Sequence, residues 1–260
     1  MSTKTTQGKL WSIAPEYWSK HFEPFFLPLY KKAFQHLDVS GDTMLPDAGC
    51  GSGLFSSMAK QKGVQVIGID AAPGLLEVAR RRNPDTNFME EDLEAMPFAD
   101  NSFDVVTGFN SFQYAGNFSN ALQEAKRVLK PGGRLVIGIW AKPELSEATT
   151  VLKAIGALLP PPPPGIPGPF ALSENGVMEG IFESTGLNLL YKAKVPCPFL
   201  YHNLGNGIKS FMGTGPAAAA LSHASTTVVE DTIKEALQPY RLADDLYFLE
   251  NNFLLFIVSK

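Results

Sequence analysis

The segment Asp47-Ala48-Gly49-Cys50-Gly51-Ser52-Gly53 constrains this chain more than any other, because an apolar run ends in it and a helical pattern starts directly after it at Leu54. Glycines tolerate positive φ and let backbone amides come close to a bound molecule, so a strand, a glycine turn and a helix in succession make the opening unit of a parallel α/β sheet. Residues 41–141 repeat that rhythm. Strands are predicted at 43–47, 64–70, 86–90, 103–109 and 134–140, each rich in β-branched or aromatic residues and bounded by Gly, Pro, Asn or Asp. Helices are predicted at 54–61, 74–82 and 118–129, the last closed by the stop and turn Lys130-Pro131-Gly132-Gly133.

The flanks read differently. Residues 10–37 form an aromatic, helical preface with Trp11, Tyr17, Trp18, Phe22, Phe25, Phe26 and Tyr30, and residues 1–40 are expected to cap the main domain, 41–260. Five consecutive prolines, Pro160 to Pro164, within a proline-rich run to Pro169 exclude helix and central strand there, and predict a stiff connector. That connector lies in an insertion after the fifth strand, and residues 142–225 are expected to cover a substrate. Further on, Ser173 is predicted to cap a helix that Gly186 stops after Thr185. A strand at 187–195, a loosely patterned stretch at 201–225, a helix at 229–237 and a strand at 247–258 follow, and the two late strands predict an antiparallel, hairpin-like end to the sheet.

What the turn holds can be narrowed by its acids. A nicotinamide fingerprint starting from Gly49 and Gly51 needs a third glycine where Leu54 stands. Asp47 repels a pyrophosphate but suits the ammonium of a methionine moiety. Asp70, about 20 residues beyond the glycines, is placed to accept both hydroxyls of a ribose. In Glu91-Asp92-Leu93-Glu94 a carboxylate can accept from an adenine amino group.

Together these residues resemble the class I S-adenosylmethionine-dependent methyltransferases, and among them the type 11, small-molecule group. Five ordered motifs over residues 40–141 carry the likeness: Asp47 to Gly53, Asp70, Asp92-Leu93, Phe98 to Asp104, and Arg127 to Gly133. The resemblance implies a doubly wound, Rossmann-like α/β fold of seven strands in the order 3-2-1-4-5-7-6, strand 7 antiparallel. It implies S-adenosyl-L-methionine as cofactor, S-adenosyl-L-homocysteine as product and a small-molecule methyl acceptor. The implied cofactor contacts are Asp47, Ala48, Gly49, Cys50, Gly51, Gly53, Asp70, Ala71, Asp92, Leu93 and Glu94. Asn110, Ser111 and Gln113 from the loop after the fourth strand join them, as do Trp11 and Tyr17 from the preface. Two departures stand out. Pro46 occupies a central-strand position and predicts a local irregularity or a weakened first strand. Gln113-Tyr114 stands where many relatives carry histidine, so a base, where one is needed, is sought among His21, His36, His202 and His223, with His202 and His21 first and Tyr114 or an Asp behind them.

Composition narrows the function classes. With 22 basic against 26 acidic residues there is no positive field for nucleic acid. The apolar runs fall short of the roughly 20 residues a membrane helix needs, and a cytoplasmic protein, monomer or homodimer, is expected. Cys50 and Cys197 lie at no ligand spacing, so no metal site is predicted. The aromatic preface and residues 170–225 point to an apolar acceptor pocket and an O-, C- or N-methylated hydrophobic or aromatic metabolite. A catalytically silent S-adenosylmethionine-binding regulatory protein and an NAD-dependent oxidoreductase are the alternatives.

Overall fold

The apolar runs of residues 41–141 become parallel strands because runs buried on both faces satisfy their backbone groups only against one another. A computed structural model describes residues 2–161 and 170–260; most of the expected proline connector, residues 162–169, lies outside the described residues. The preface contains α1 (Lys4–Trp11), α2 (Pro15–Tyr17), a π turn at Trp18–Phe22 and α3 (Leu27–His36). Then come β1 (Met44–Ala48), α4 (Leu54–Gln61), β2 (Gln65–Asp70), α5 (Pro73–Arg82), β3 (Asn87–Glu90), β4 (Phe103–Phe109), α6 (Phe118–Val128) and β5 (Leu129–Trp140). The chain continues through α7 (Ala148–Gly156), α8 (Val177–Thr185), β6 (Asn188–Pro196), β7 (Phe199–Tyr201), α9 (Leu204–Met212), α10 (Gly215–Ala220), α11 (Thr226–Leu237), β8 (Arg241–Ala243), β9 (Leu246–Leu249) and β10 (Asn252–Ser259).

Seven strands form the main sheet in the order β3-β2-β1-β4-β5-β10-β6, with β10 antiparallel to both neighbours. Since β10 is the seventh strand of that sheet in chain order, this is the expected 3-2-1-4-5-7-6 arrangement. Helices pack on it through periodic apolar faces: in α6, Ala121, Leu122, Ala125 and Val128 are buried, and the Asn117 side chain caps the start by accepting from the Asn120 amide at 3.1 Å. Order reversal between β1 and β4 opens a crevice at the carboxyl ends of the strands, where the glycine turn emerges.

Several expectations are corrected. Pro46 sits in a regular parallel ladder, opposite Ile67 of β2; toward β4 the described pairing is Asp47 with Thr107, so the irregularity is confined to that side. Lys130–Gly133 is a bulge inside β5 rather than a turn before it, the register jumping from Phe103 with Leu129 to Val105 with Arg134. Ser173 does not cap α8. Gly176 does, while the Ser173 hydroxyl donates to the Trp140 carbonyl at 2.6 Å. Gly186, at φ 66°, ends that helix as predicted.

The closing strands are no hairpin, and the stretch at 201–225 is not loose. Between β6 and β10 the chain inserts α9, α10 and α11 and a separate sheet, β7-β9-β8. The strand expected at 247–258 is therefore two strands in two sheets. The elaboration after the fifth strand is matched by this larger one after the sixth.

Candidate functional site

Backbone geometry makes the glycine turn. Gly49 lies at φ 76° and Gly51 at φ 54°, in the left-handed region. A Cβ on Gly49 would sit 2.2 Å from the Ser111 Cβ, so the absent side chain is what lets the loop after β4 close over the turn. Ser111 then donates to the Ala48 carbonyl at 2.7 Å.

Asp70, at the end of β2, fixes the other side. One carboxylate oxygen accepts from the Gly51 amide and the other from the Ala72 amide, both at 2.8 Å, and burial pushes the carboxyl's pKa up. Asp47 faces elsewhere. It lies beneath the turn, 2% exposed, accepting from Ser56 Oγ at 2.6 Å and Thr107 Oγ1 at 3.0 Å. Burial outweighs those two hydrogen bonds and raises its pKa to about 7.

A cleft whose free space, including the open solvent at its mouth, is about 670 Å³ lies above the turn. Of the residues singled out from the sequence, Trp11, Gly49, Gly51, Asp70, Ala71, Asp92, Leu93, Asn110 and Ser111 line it, as does Tyr114. Asp47, Ala48, Cys50, Gly53, Glu94, Gln113 and Tyr17 are not on its wall. Cys50 is buried under the turn, and Glu94 turns away to accept from the Asn117 amide at 3.1 Å. Gln113 donates to Asn110, and Tyr17 is 39% exposed on the outer side of the preface.

The structure adds residues with no local sequence signal. Thr3, Lys4 and Gln7 of the amino-terminal segment complete the wall; Lys4 Nζ donates to the Glu90 carbonyl at 3.0 Å, and the Ser2 hydroxyl donates to Asp92. Trp18, read only as part of the aromatic preface, is 7% exposed, and its indole Nε1 has no partner among the described residues. That nitrogen lies 3.4 Å from where a Cβ on Gly51 would be, a free donor beside the turn. The buried Glu23 ties the preface to the turn: Arg82 Nη1 reaches it at 2.6 Å, the Ser52 hydroxyl donates to it, and Arg82 Nη2 donates to Ser19 Oγ at 2.7 Å. Burial pushes the Glu23 pKa up against the pull of Arg82.

None of the four histidines lines this cavity. His21 is half-buried, with its pKa lowered by burial and then by Lys209 and Lys20; His202 is exposed in the loop before α9. Of the histidine and tyrosine candidates for a base, only Tyr114 reaches the cavity, and burial raises its pKa to about 12. Among the described residues no group of three or more His, Cys, Asp or Glu is arranged for a metal ion. No described helix is long and apolar enough to cross a membrane.

Residues 46–137 match the family model described as a methyltransferase domain. A demethylmenaquinone methyltransferase from Renibacterium salmoninarum is 39% identical over 113 residues, which are 44% of this chain and 47% of that protein. A malonyl-[acyl-carrier protein] O-methyltransferase from Serratia marcescens is 36% identical over 107 residues, 41% of this chain and 42% of that one. The matches thus span less than half of these relatives' own lengths. Among solved structures, a SAM-dependent methyltransferase from Aquifex aeolicus shares the fold, with a TM-score of 0.53 at 19% identity over 70% of this chain and 92% of that one.

Proposed function

We propose, from the match of residues 46–137 to a methyltransferase-domain model and from the geometry of the crevice, that this chain is a class I, S-adenosylmethionine-dependent methyltransferase of the type 11 group and that it methylates a small apolar or aromatic metabolite. The observation that carries the reading is the convergence of Gly49, Gly51, Asp70 and Asp92 on one cavity that the tryptophan pair Trp11 and Trp18 also lines. S-adenosylmethionine, the cofactor of the family, supplies an electrophilic methyl group and a neutral leaving group when bound.

The chain's own groups hold and orient. The glycine turn passes beneath the methionine part, with Trp18 Nε1 as a donor for its carboxylate. Asp70 keeps unused lone pairs for the ribose hydroxyls, because its two backbone bonds take only one per oxygen. Asp92 and Leu93 meet adenine, and the loop from Asn110 to Tyr114 faces the sulfonium end. The preface, residues 1–40, and the elements after β6 form the cover that excludes water from the reacting pair. Asp47 is assigned to shaping the turn rather than to ligand contact, since both its oxygens are engaged below it.

Calorimetry with S-adenosylmethionine, S-adenosylhomocysteine and NAD tests this reading. Binding of the first two and not of NAD is expected; binding of NAD alone rejects it. Release of S-adenosylhomocysteine across a panel of small phenols, amines and carboxylates separates an enzyme from a silent binding protein.

A further inference from the structure

Helix α1 and the residues just before it tie the two banks of the crevice together. The Ser2 hydroxyl donates to Asp92, beyond β3, and the Thr3 hydroxyl donates to the Tyr114 carbonyl in the loop after β4. These partners stand on opposite sides of the point where the strand order reverses, between β1 and β4. Lys4, Gln7 and Trp11, at helical spacing, form the stripe of α1 that lines the cleft, with Thr3 before them.

A latch holds the helix in that position. Gly8 is the one buried residue of α1, and a Cβ there would sit 2.2 Å from the Ala71 carbonyl oxygen, so the helix backbone lies directly on the loop between β2 and α5. Ser12, which follows the helix, accepts from the Gly74 amide at 3.0 Å and donates to the Gly8 carbonyl at 2.7 Å, joining α1 to the first turn of α5. Gly8, Ser12 and Gly74 are off the cleft wall, whereas Ala71, Asp92 and Tyr114 are on it.

Such a fastening opens readily. Apart from the Gly8 contact it consists of hydrogen bonds near the surface and one partly exposed ion pair, Lys4 with Glu91 at 3.8 Å, all of which water can replace. Neither Leu10 nor Trp11 is fully buried. Helix α6, by contrast, buries a whole apolar face against the sheet. An element with so little buried apolar surface opens at a small fraction of the free energy of global unfolding.

We propose that α1 is a latched strap that gates the exchange of S-adenosylmethionine for S-adenosylhomocysteine, with Gly8 and Ser12 as the positioning residues of the latch. The inference rests on the methyltransferase reading above and adds a motion to it. The nucleoside passes while the strap is lifted: Ser2 and Thr3 release the two banks, Lys4 leaves the Glu90 carbonyl and Glu91, and Gly8 comes off Ala71. Because the latch residues are off the cleft wall, they close alike over an occupied and an empty cleft. A contact made equally in both states cancels from the affinity and remains in the rates. Weakening the latch therefore speeds association and dissociation together. A residue that only touches the ligand changes dissociation and affinity instead.

The test is the binding kinetics of S-adenosylhomocysteine on the immobilised full chain, read by surface plasmon resonance, with amide hydrogen exchange beside it. Ser12→Ala, one hydrogen bond fewer in the latch, is expected to raise both rates about threefold or more while the affinity stays within about twofold. Gly8→Ala, which forces the helix off the Ala71 carbonyl, raises both about tenfold or more. In both variants exchange quickens across residues 4–11 while β1, β4 and β5 stay protected. Unchanged rates in both variants, or faster dissociation of Ser12→Ala matched by an equal loss of affinity, overturns the proposal. Failure of S-adenosylhomocysteine to bind the parent chain rejects instead the methyltransferase reading on which it rests.

Discussion

The two walls of the crevice are built on different principles. On the sheet side, Gly49, Gly51 and Asp70 act through backbone: positive φ, a missing Cβ and two amide hydrogen bonds. On the cover side, side chains do the work. Phe22 packs edge-on against Phe199 and Phe211 at ring distances of 5.2 and 5.7 Å, and Phe25 stacks on Phe199 at 4.4 Å. Ser210 Oγ, held by Tyr201 Oη at 3.0 Å, donates to the His21 carbonyl at 2.8 Å. The cover thus joins the amino-terminal preface to the insertion between β6 and β10. A backbone-determined wall tolerates few sequences and keeps one ligand; a packed aromatic wall can be refilled by other residues. On the function proposed above, the first wall would set the cofactor and the second the acceptor.

That contrast can be broken most directly where the walls are fastened together. Arg82→Ala strands the buried Glu23, and a stability loss of about 3 kcal/mol at neutral pH is expected by denaturant titration. The loss should shrink as pH falls toward the ordinary range of a glutamate, because a protonated Glu23 needs no counter-charge. An equal loss at both ends of that range disconnects the fastening from charge.

On the sheet wall alone, Gly49→Ala forces Cβ into Ser111 at positive φ; about 1–3 kcal/mol of stability and most of the S-adenosylmethionine affinity should go, by thermal melting and calorimetry. Asp70→Ala retains the fold and weakens the cofactor about tenfold to a hundredfold, the loss expected of hydrogen bonds to a charged group. Unchanged affinity removes Asp70 from the ribose.

Asp47 tests the support beneath the turn through its pH dependence. Its folded pKa of about 7 lies above the ordinary aspartate value, so between the two the folded state holds a proton the unfolded state has lost. Stability contributed by the protonated form is therefore complete below the ordinary value and declines as pH rises toward 7. Asp47→Asn should flatten that decline in urea titrations at successive pH values, by about 1.4 kcal/mol for each pH unit over which it runs.

Legibility follows the same division. That the turn, Asp70 and Asp92-Leu93 meet at one cleft was readable because a glycine turn and acids at strand ends are local patterns. The strand order followed from the same motifs. Trp18, Glu23, Arg82 and Lys4 were not readable as site residues, since an aromatic or charged residue on a helical segment is ordinary until its neighbours are known. The helices of residues 201–225 escaped notice because Gly205, Gly207, Gly213 and Gly215 dilute the periodic signal; in the fold three of them give room for tight packing, Gly207 against Leu237, Gly213 against the Trp18 backbone and Gly215 against the Trp11 ring.

By itself, then, the sequence determined the parallel sheet and the turn, which rest on φ, hydrogen-bonding capacity and spacing within a few residues, and it pointed to the cofactor class proposed above. Only the tertiary structure decided that Asp47 supports the turn from below while Trp18 overlooks it. Only it decided that Thr214 and Phe22, 192 positions apart in the chain, close one small aromatic cavity. The reason is physical: burial and partner choice belong to contacts between distant segments, and no residue carries them alone.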